Sequence, residues 1–248
     1  MDDDEWIFDL IEKFRKSFRR LYSDHPPRDE RELYVTEVLY CPRKAFLNYT
    51  LNARFKPNVA MIEGTIHHMA VPDLDFWRGK DARFEVPVKY KVDDFVVSGR
   101  VDVVAMKPDQ TWEVYEFKFP ARLGNENVEP TYLMQGNAYA FMLDDYVGYS
   151  VTDVYVVEVA MDRFRDEIDV RVLYTKPNRE MFDAFLKKAR YLIECIKNQE
   201  LPEGPEFEWE CNKCPYNIIC NKIKPSEPSA FDLTHGTVID TNGGGDSV

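Results

Sequence analysis

Two runs of this chain, Phe95 to Met106 and Trp112 to Phe119, are each rich in Val, Phe, Trp and Tyr, and Lys107-Pro108-Asp109-Gln110 separates them. β-Branched and aromatic residues favour strands and a Pro-Asp pair favours a turn, so the two runs are expected to form a hairpin. Side chains alternate along a strand, which puts Trp112, Val114, Glu116 and Lys118 on one face and Tyr115, Phe117 and Phe119 on the other. A turn centred on Asp109 sets Asp102 across from Glu116. Facing carboxylates repel unless a cation lies between them, and hard oxygen donors suit Mg²⁺ or Mn²⁺. Lys118, on the Glu116 face, can hold a water or offset developing negative charge. The plainer reading is a solvated strand that happens to carry Asp, Glu and Lys. Glu-x-Lys by itself is common, so its meaning depends on the rest of the chain.

The 248 residues are enough for one large domain or two small ones, and 44% hydrophobic with 14% aromatic residues supports a packed core. No apolar run approaches the length of a membrane span, and Met1-Asp2-Asp3-Asp4-Glu5 is acidic where a signal peptide is basic. A cytoplasmic location is expected. The net charge of −12 argues at first against a nucleic-acid partner. Residues 2–9 and 225–248, however, hold nine acids and no base, which leaves about −3 on the body. Basic runs remain within it, at Lys13 to Arg20, at Arg43-Lys44 and at Lys187-Lys188 with Arg190. Each reads as a solvated helix face or, less plainly, as a track for DNA.

Asp4 to Tyr22 has Ile7, Leu10, Ile11, Phe14, Phe18 and Leu21 at helical spacing, so an amphipathic helix packed on the body is expected, ended by His25-Pro26-Pro27. Tyr34 to Asn52 reads as partly helical. Asn58 to Val71 reads as a helix on which Gly64 and His68 lie one turn apart, leaving room for a neighbouring backbone or a ligand beside the histidine. A lone His on a helix is more often a structural residue than a ligand. Arg83 to Tyr90 is expected as an edge strand, Leu123 to Asn127 as a loop, and Thr131 to Leu143 as a helix entered after Pro130, with Gln135 and Tyr139 on one face. Val151 to Ala160 and Ile168 to Tyr174 alternate as strands, and Pro177 to Gln199 forms a long helix with Pro in its first turn. From Lys224 onward the Pro, Ser and Gly content points to disorder. No internal repeat and no Gly-rich phosphate loop is present.

Cys211-x₂-Cys214-x₅-Cys220 packs three thiols into ten residues, and Cys41 is the candidate for a fourth ligand. Cys195 falls in the apolar stripe of the long helix with Met181, Phe185, Leu192 and Ile196 and reads as core. In a reducing compartment such a cluster holds metal rather than disulfides, and thiolate ligation fits structural zinc or an iron–sulfur cluster. Either would clasp the two ends of the chain together.

The ordered series Cys41, Gly64-x₃-His68, Gly99-x₂-Asp102, Glu116-x-Lys118, Gln135-x₃-Tyr139 and Cys211-x₂-Cys214-x₅-Cys220, over residues 34–224, resembles the PD-(D/E)XK nucleases of the RecB type. Among these it is most similar to the Cas4 family, which shares a four-cysteine cluster with the nuclease portions of AddB and Dna2. The resemblance implies an α/β fold with a central mixed sheet flanked by helices, and a C-terminal cluster subdomain tied to the N-terminal helical segment. It divides the chain into an N-terminal helix and linker (1–33), a nuclease core (34–200), a cluster segment (201–224) and an acidic tail (225–248).

What the family implies for the site carries over position by position. His68, Asp102, Glu116 and the Phe117 carbonyl match its Mn²⁺ or Mg²⁺ ligands. Lys118 matches the residue that positions or activates water, and Gln135 with Tyr139 match the pair that supports that lysine and contacts DNA. Cys41, Cys211, Cys214 and Cys220 would hold a [4Fe–4S] cluster, with [2Fe–2S] the rarer form. Members cut DNA, often as exonucleases on single strands, and Cas4 proteins trim prespacers beside Cas1 and Cas2 in CRISPR adaptation. The N-terminal helix and acidic tails depart from that pattern, and viral or stand-alone relatives carry the same motifs. Two other classes stay open from sequence: a non-catalytic DNA-binding subunit, and a zinc-stabilised structural module.

Overall fold

The structure is a computed structural model and describes residues 10–17, 29, 31–51, 59–123, 129–162, 166–212, 214–220 and 222. In chain order the elements are a helical stretch α1 (residues 10–17), β1 (Glu32–Tyr34), α2 (Val35–Leu39), α3 (Pro42–Leu51), α4 (Val59–Ala70), β2 (Asp81–Val92), β3 (Phe95–Met106), β4 (Trp112–Lys118), α5 (Glu129–Val147), β5 (Val151–Asp162), β6 (Glu167–Thr175), α6 (Arg179–Asn198) and α7 (Asn217–Cys220). This is a mixed α/β architecture, with a central mixed sheet flanked by helices.

The long strand β3 organises the six-stranded sheet. β2 pairs antiparallel along its whole length, from Asp81↔Met106 to Val92↔Phe95. The opposite edge is shared, with β1 parallel at Glu32↔Val96 to Tyr34↔Ser98 and β4 antiparallel at Val103↔Tyr115 to Met106↔Trp112. β5 then runs parallel to β4, with α5 as the crossover a parallel pair requires, and β6 closes the far edge. β3 and β4 stop pairing at Val103↔Tyr115, so Asp102 and Glu116, the next residues in that register, stand at the mouth where the two strands part.

A core lies on each side of the sheet. On one face Val97, Val101, Trp112, Val114 and Val154 pack with Leu143 of α5 and with Phe182, Phe185, Ala189 and Leu192 of α6. On the other face Val103, Ala105, Tyr115 and Phe117 pack under Val71 and Trp77. The alternation expected along β4 is therefore present. α6 presents its apolar stripe at the i, i+3, i+4 spacing that buries one side of a helix.

Several boundaries move. α6 begins after Pro177: Asn178 is its N-cap, accepting from the Met181 N–H at 3.1 Å, because an Asn side chain satisfies a first-turn donor that Pro cannot. Asn137 of α5 locks this cap, donating to the Asn178 carbonyl at 3.0 Å and accepting its N–H at 2.6 Å. α5 starts at Glu129, so Pro130 sits inside the first turn, where a missing N–H costs nothing. Glu32–Tyr34 is a strand that only its pairing with β3 reveals. At the N-terminus residues 10–17 are helical, but Leu10, Ile11 and Phe14 are exposed and do not bury the expected stripe. The rest of Asp4 to Tyr22, the His25-Pro26-Pro27 stop, most of the Leu123 to Asn127 loop and the tail from 225 lie outside the described residues.

Candidate metal centre and lysine site

The β2–β3 pair changes the face it shows at one level. On β2, Ala82 and Phe84 pack with the second core, while Val86 and Val88, of the same parity, pack with the first. On β3, Val97 and Val101 belong to the first core and Val103 and Ala105 to the second. Regular alternation cannot produce this, so both strands invert between those residues, at Glu85 and at Asp102. These two lie opposite each other between the pairs Phe84↔Val103 and Val86↔Val101, and Glu85 adopts φ 52°.

Their side chains meet a histidine at this level. His68, near the end of α4, places Nδ1 3.4 Å from Asp102 Oδ1. His68, Glu85 and Asp102 each offer one ligand atom, all within 4.8 Å of one another. Asp102 Oδ2 accepts the Phe117 N–H at 2.7 Å, which ties β3 to β4 where the ladder has ended. A strand residue turns its N–H and C=O toward the same neighbour, so the Phe117 carbonyl faces this gap as well.

On the first-core face of β4 lies the second half of the site. Glu116 Oε1 accepts from Lys118 Nζ at 2.7 Å and from Gln135 Nε2 at 2.6 Å, and Gln135 Oε1 takes a second Lys118 hydrogen bond at 2.9 Å. The Tyr139 hydroxyl lies 3.3 Å from Gln135 Nε2. Gln135 and Tyr139 reach this point because α5 lies flat on the sheet. A β-carbon at Gly99 would stand 2.5 Å from the Tyr139 ring, and one at Gly136 would stand 2.6 Å from Val154. Tyr132, from the first turns of α5, places its ring 5.3 Å from Lys118 Nζ.

Burial dominates the electrostatics. It raises the Asp102 carboxyl to about 7, and it raises Glu116 to about 7 with Asp102 as the next cause. Burial lowers His68, favouring the neutral imidazole that ligates metals. Burial also works against the Lys118 charge, but Glu116 and other neighbours outweigh it, so the ammonium is held. Glu116 Oε2 is a buried oxygen with no hydrogen-bond partner among the described residues. An orphaned carboxylate oxygen beside a second carboxylate and a neutral histidine is a donor set that fits a hard divalent cation.

Residues far apart in sequence also meet just beyond the C-terminal end of α2. The Cys41 N–H donates to Glu210 Oε2 at 2.8 Å, and Arg43 reaches both the Pro202 carbonyl at 3.1 Å and Cys220 Sγ at 3.7 Å. Cys41, Cys211, Cys214 and Cys220 are free thiols, and burial, followed by neighbouring charges that include other members of this set, raises both Cys41 and Cys211. Cys195 packs in the first core.

A protein-family model, the PD-(D/E)XK nuclease superfamily, matches residues 70–221. The chain belongs to that superfamily. Among solved structures, this nuclease shares its fold with SSO0001, at 20% identity and a TM-score of 0.63 over 85% of this chain and 96% of that one. An alkaline exonuclease from Laribacter hongkongensis matches at 11% identity and a TM-score of 0.49 over 74% and 93%. No curated protein matches the chain. Nucleases of the superfamily use divalent metals, and the match spans Asp102, Glu116, Lys118, Gln135 and Tyr139, with His68 two residues before it begins.

Of the residues singled out from sequence, the fold brings His68 against Asp102, Phe117 against Asp102, and Lys118, Gln135 and Tyr139 around Glu116. Glu116 is not among the three side chains whose ligand atoms gather within 4.8 Å; Glu85 stands there instead. Sequence reading places Glu85 on an edge strand and passes over it, because a positive φ at a glutamate has no sequence signature. A β-carbon added at Gly64 would meet nothing within 4 Å, so no described neighbour uses the room this glycine leaves.

Proposed function

We propose that this nuclease is a divalent-metal-dependent DNA exonuclease of the Cas4 type, acting on single-stranded DNA or single-stranded overhangs. The observation that carries it is the placement of Lys118 Nζ, fixed by Glu116 and Gln135 at the mouth where Asp102 and His68 come together. Asp102, Glu116, His68 and the Phe117 carbonyl would hold Mn²⁺ or Mg²⁺, which lowers the pKa of water and screens phosphate charge. Lys118 supplies positive charge where the scissile phosphate gains negative charge, and its two hydrogen bonds hold it there without reorganisation. Gln135 keeps Glu116 and Lys118 in register, and Tyr139 supports Gln135 from the helix turn behind it.

The four cysteines, Cys41 just after α2 and the other three after α6, would hold an iron–sulfur cluster. Their donors are all sulfur, Glu210 tethers Cys41 beside Cys211, and the Arg43 guanidinium on Cys220 Sγ would stabilise bound thiolate. A [4Fe–4S] form is the reading from resemblance, with [2Fe–2S] or zinc as the alternatives. Prespacer trimming with Cas1 and Cas2, in the cytoplasm, is the biological role that this reading favours. Among the described residues no helix is long and apolar enough to cross a membrane.

Anaerobic purification with iron analysis and a visible spectrum, followed by digestion of end-labelled single-stranded DNA with Mn²⁺, tests both parts. Iron-loaded protein that shortens the strand stepwise supports the proposal. No cleavage by loaded protein, or cleavage unchanged in Lys118→Ala, overturns the catalytic reading, and a colourless zinc-loaded protein overturns the cluster.

A further inference from the structure

Glu85 stands between two charged groups. One of its oxygens lies within 4.8 Å of the ligand atoms of Asp102 and His68, and Oε2 accepts from Arg100 Nη1 at 3.2 Å. Its φ of 52° lies in the left-handed region, which is strained for a residue with a β-carbon. Strain of this kind persists where the surroundings impose it, and it gathers at functional sites. Here it coincides with the level at which β2 and β3 exchange faces, which turns Glu85 toward Asp102. Two carboxylates brought together at such a cost repel each other. Arg100 offsets this only weakly, because both partners are largely exposed, at 57% and 46%, and solvent screens such a pair.

A separate observation points to a cation here. Glu116, 2% exposed, keeps Oε2 without a hydrogen-bond partner among the described residues, and its carboxylate feels both Asp102 and His68. The level therefore holds three carboxylates and a histidine, against the Lys118 ammonium on Glu116 Oε1 and one weakly held arginine at the rim.

We propose that Glu85 is a further ligand to the divalent ion and that Arg100 competes with the ion for it. In the metal-free protein Arg100 holds the Glu85 carboxylate. On loading, Glu85 turns to the ion, and the freed guanidinium becomes available to a phosphate of the nucleic acid. This rests on reading His68, Asp102 and Glu116 as the divalent site.

Calorimetric titration of the full chain with Mn²⁺ tests it, with Glu85→Gln, Arg100→Ala, the double variant, Asp102→Asn, and Asp81→Asn as an exposed acid four residues away on β2. E85Q is expected to weaken Mn²⁺ binding by about tenfold or more, while D81N stays within about twofold. R100A should tighten it severalfold, and the gain should vanish in the double variant, because the arginine acts through Glu85. Glu85→Asn, which tolerates a positive φ, should reproduce E85Q and guards against a folding defect. Anisotropy with a labelled, non-cleavable single-stranded oligonucleotide should show R100A losing affinity with Mn²⁺ present but little without it. E85Q and Glu85→Asn both binding Mn²⁺ like wild type, while D102N loses it, overturns the role of Glu85. D102N binding Mn²⁺ like wild type overturns the site reading beneath it. Equal tightening by R100A with and without Glu85, or no dependence of its DNA effect on Mn²⁺, overturns the hand-over.

Discussion

Gln135 Nε2 and Lys118 Nζ converge on the same oxygen, Glu116 Oε1, at 2.6 and 2.7 Å. The shared acceptor joins a helix to a strand and leaves the other oxygen of Glu116 buried, with no hydrogen-bond partner among the described residues. One carboxylate thus anchors the lysine with one oxygen, and the second is the one proposed to meet a cation.

Lys118→Ala is expected to reduce Mn²⁺-dependent cleavage of single-stranded DNA by about 10²-fold or more. Glu116 keeps its bond to Gln135, so the unfolding temperature should shift by no more than a few degrees. Single-turnover digestion and thermal denaturation on one preparation check this, and a near wild-type rate would remove Lys118 from the chemistry.

Gly99→Ala forces a methyl group against a Tyr139 ring that is 3% exposed and cannot swing away. A loss of about 1–3 kcal/mol in stability is expected from overpacking. Because Tyr139 supports Gln135, the cleavage rate should fall with it. Urea denaturation and a kcat measurement test the pair of effects; a stable variant of reduced activity would mean that the helix, rather than the ring, has moved.

Asp102 and Glu116 each titrate at about 7, above the ordinary carboxylate range. A raised pKa means that the folded protein holds these protons more tightly than the unfolded chain. That part of the metal-free stability is present below the unfolded values near pH ~4 and is lost as pH rises through about 7. A divalent ion needs the ionised forms, so the increase in unfolding temperature caused by Mn²⁺ should be small at about pH 5 and large at about pH 8. A shift independent of pH would place Mn²⁺ elsewhere.

Cys214→Ala is expected to lower the unfolding temperature by about 5 °C or more, since the proposed four-thiolate clasp would tie the α2–α3 segment to the chain after α6 and its loss would free both. Iron content should fall in the same variant. An unchanged melting profile would mean that packing alone, with Tyr216 fully buried and its hydroxyl 2.9 Å from Asn48, holds that corner.

Much of this arrangement is legible in the sequence, for reasons that lie in local physics. Two-residue alternation places Trp112, Val114 and Glu116 on one side of β4, and the 3.6-residue period aligns Gln135 with Tyr139 and draws the stripe of α6. The same alternation fails at Glu85. Its positive φ and the inversion of both strands depend on what the paired segments pack against, and no local pattern records that. The strand at Glu32–Tyr34 is hidden for a similar reason, since a parallel partner 64 positions away makes it a strand.

By itself, the order of residues determined the hairpin, the run of chemistry-bearing positions from His68 to Tyr139 and the membership of a nuclease superfamily, because spacing along a chain dictates which side chains share a face. Tertiary structure decided which of them meet. It parted β3 from β4 at Asp102, brought Glu85 to the histidine and gave the Glu116 oxygens different surroundings, since burial and repulsion between acids depend on distances that only the packed sheet and helices establish.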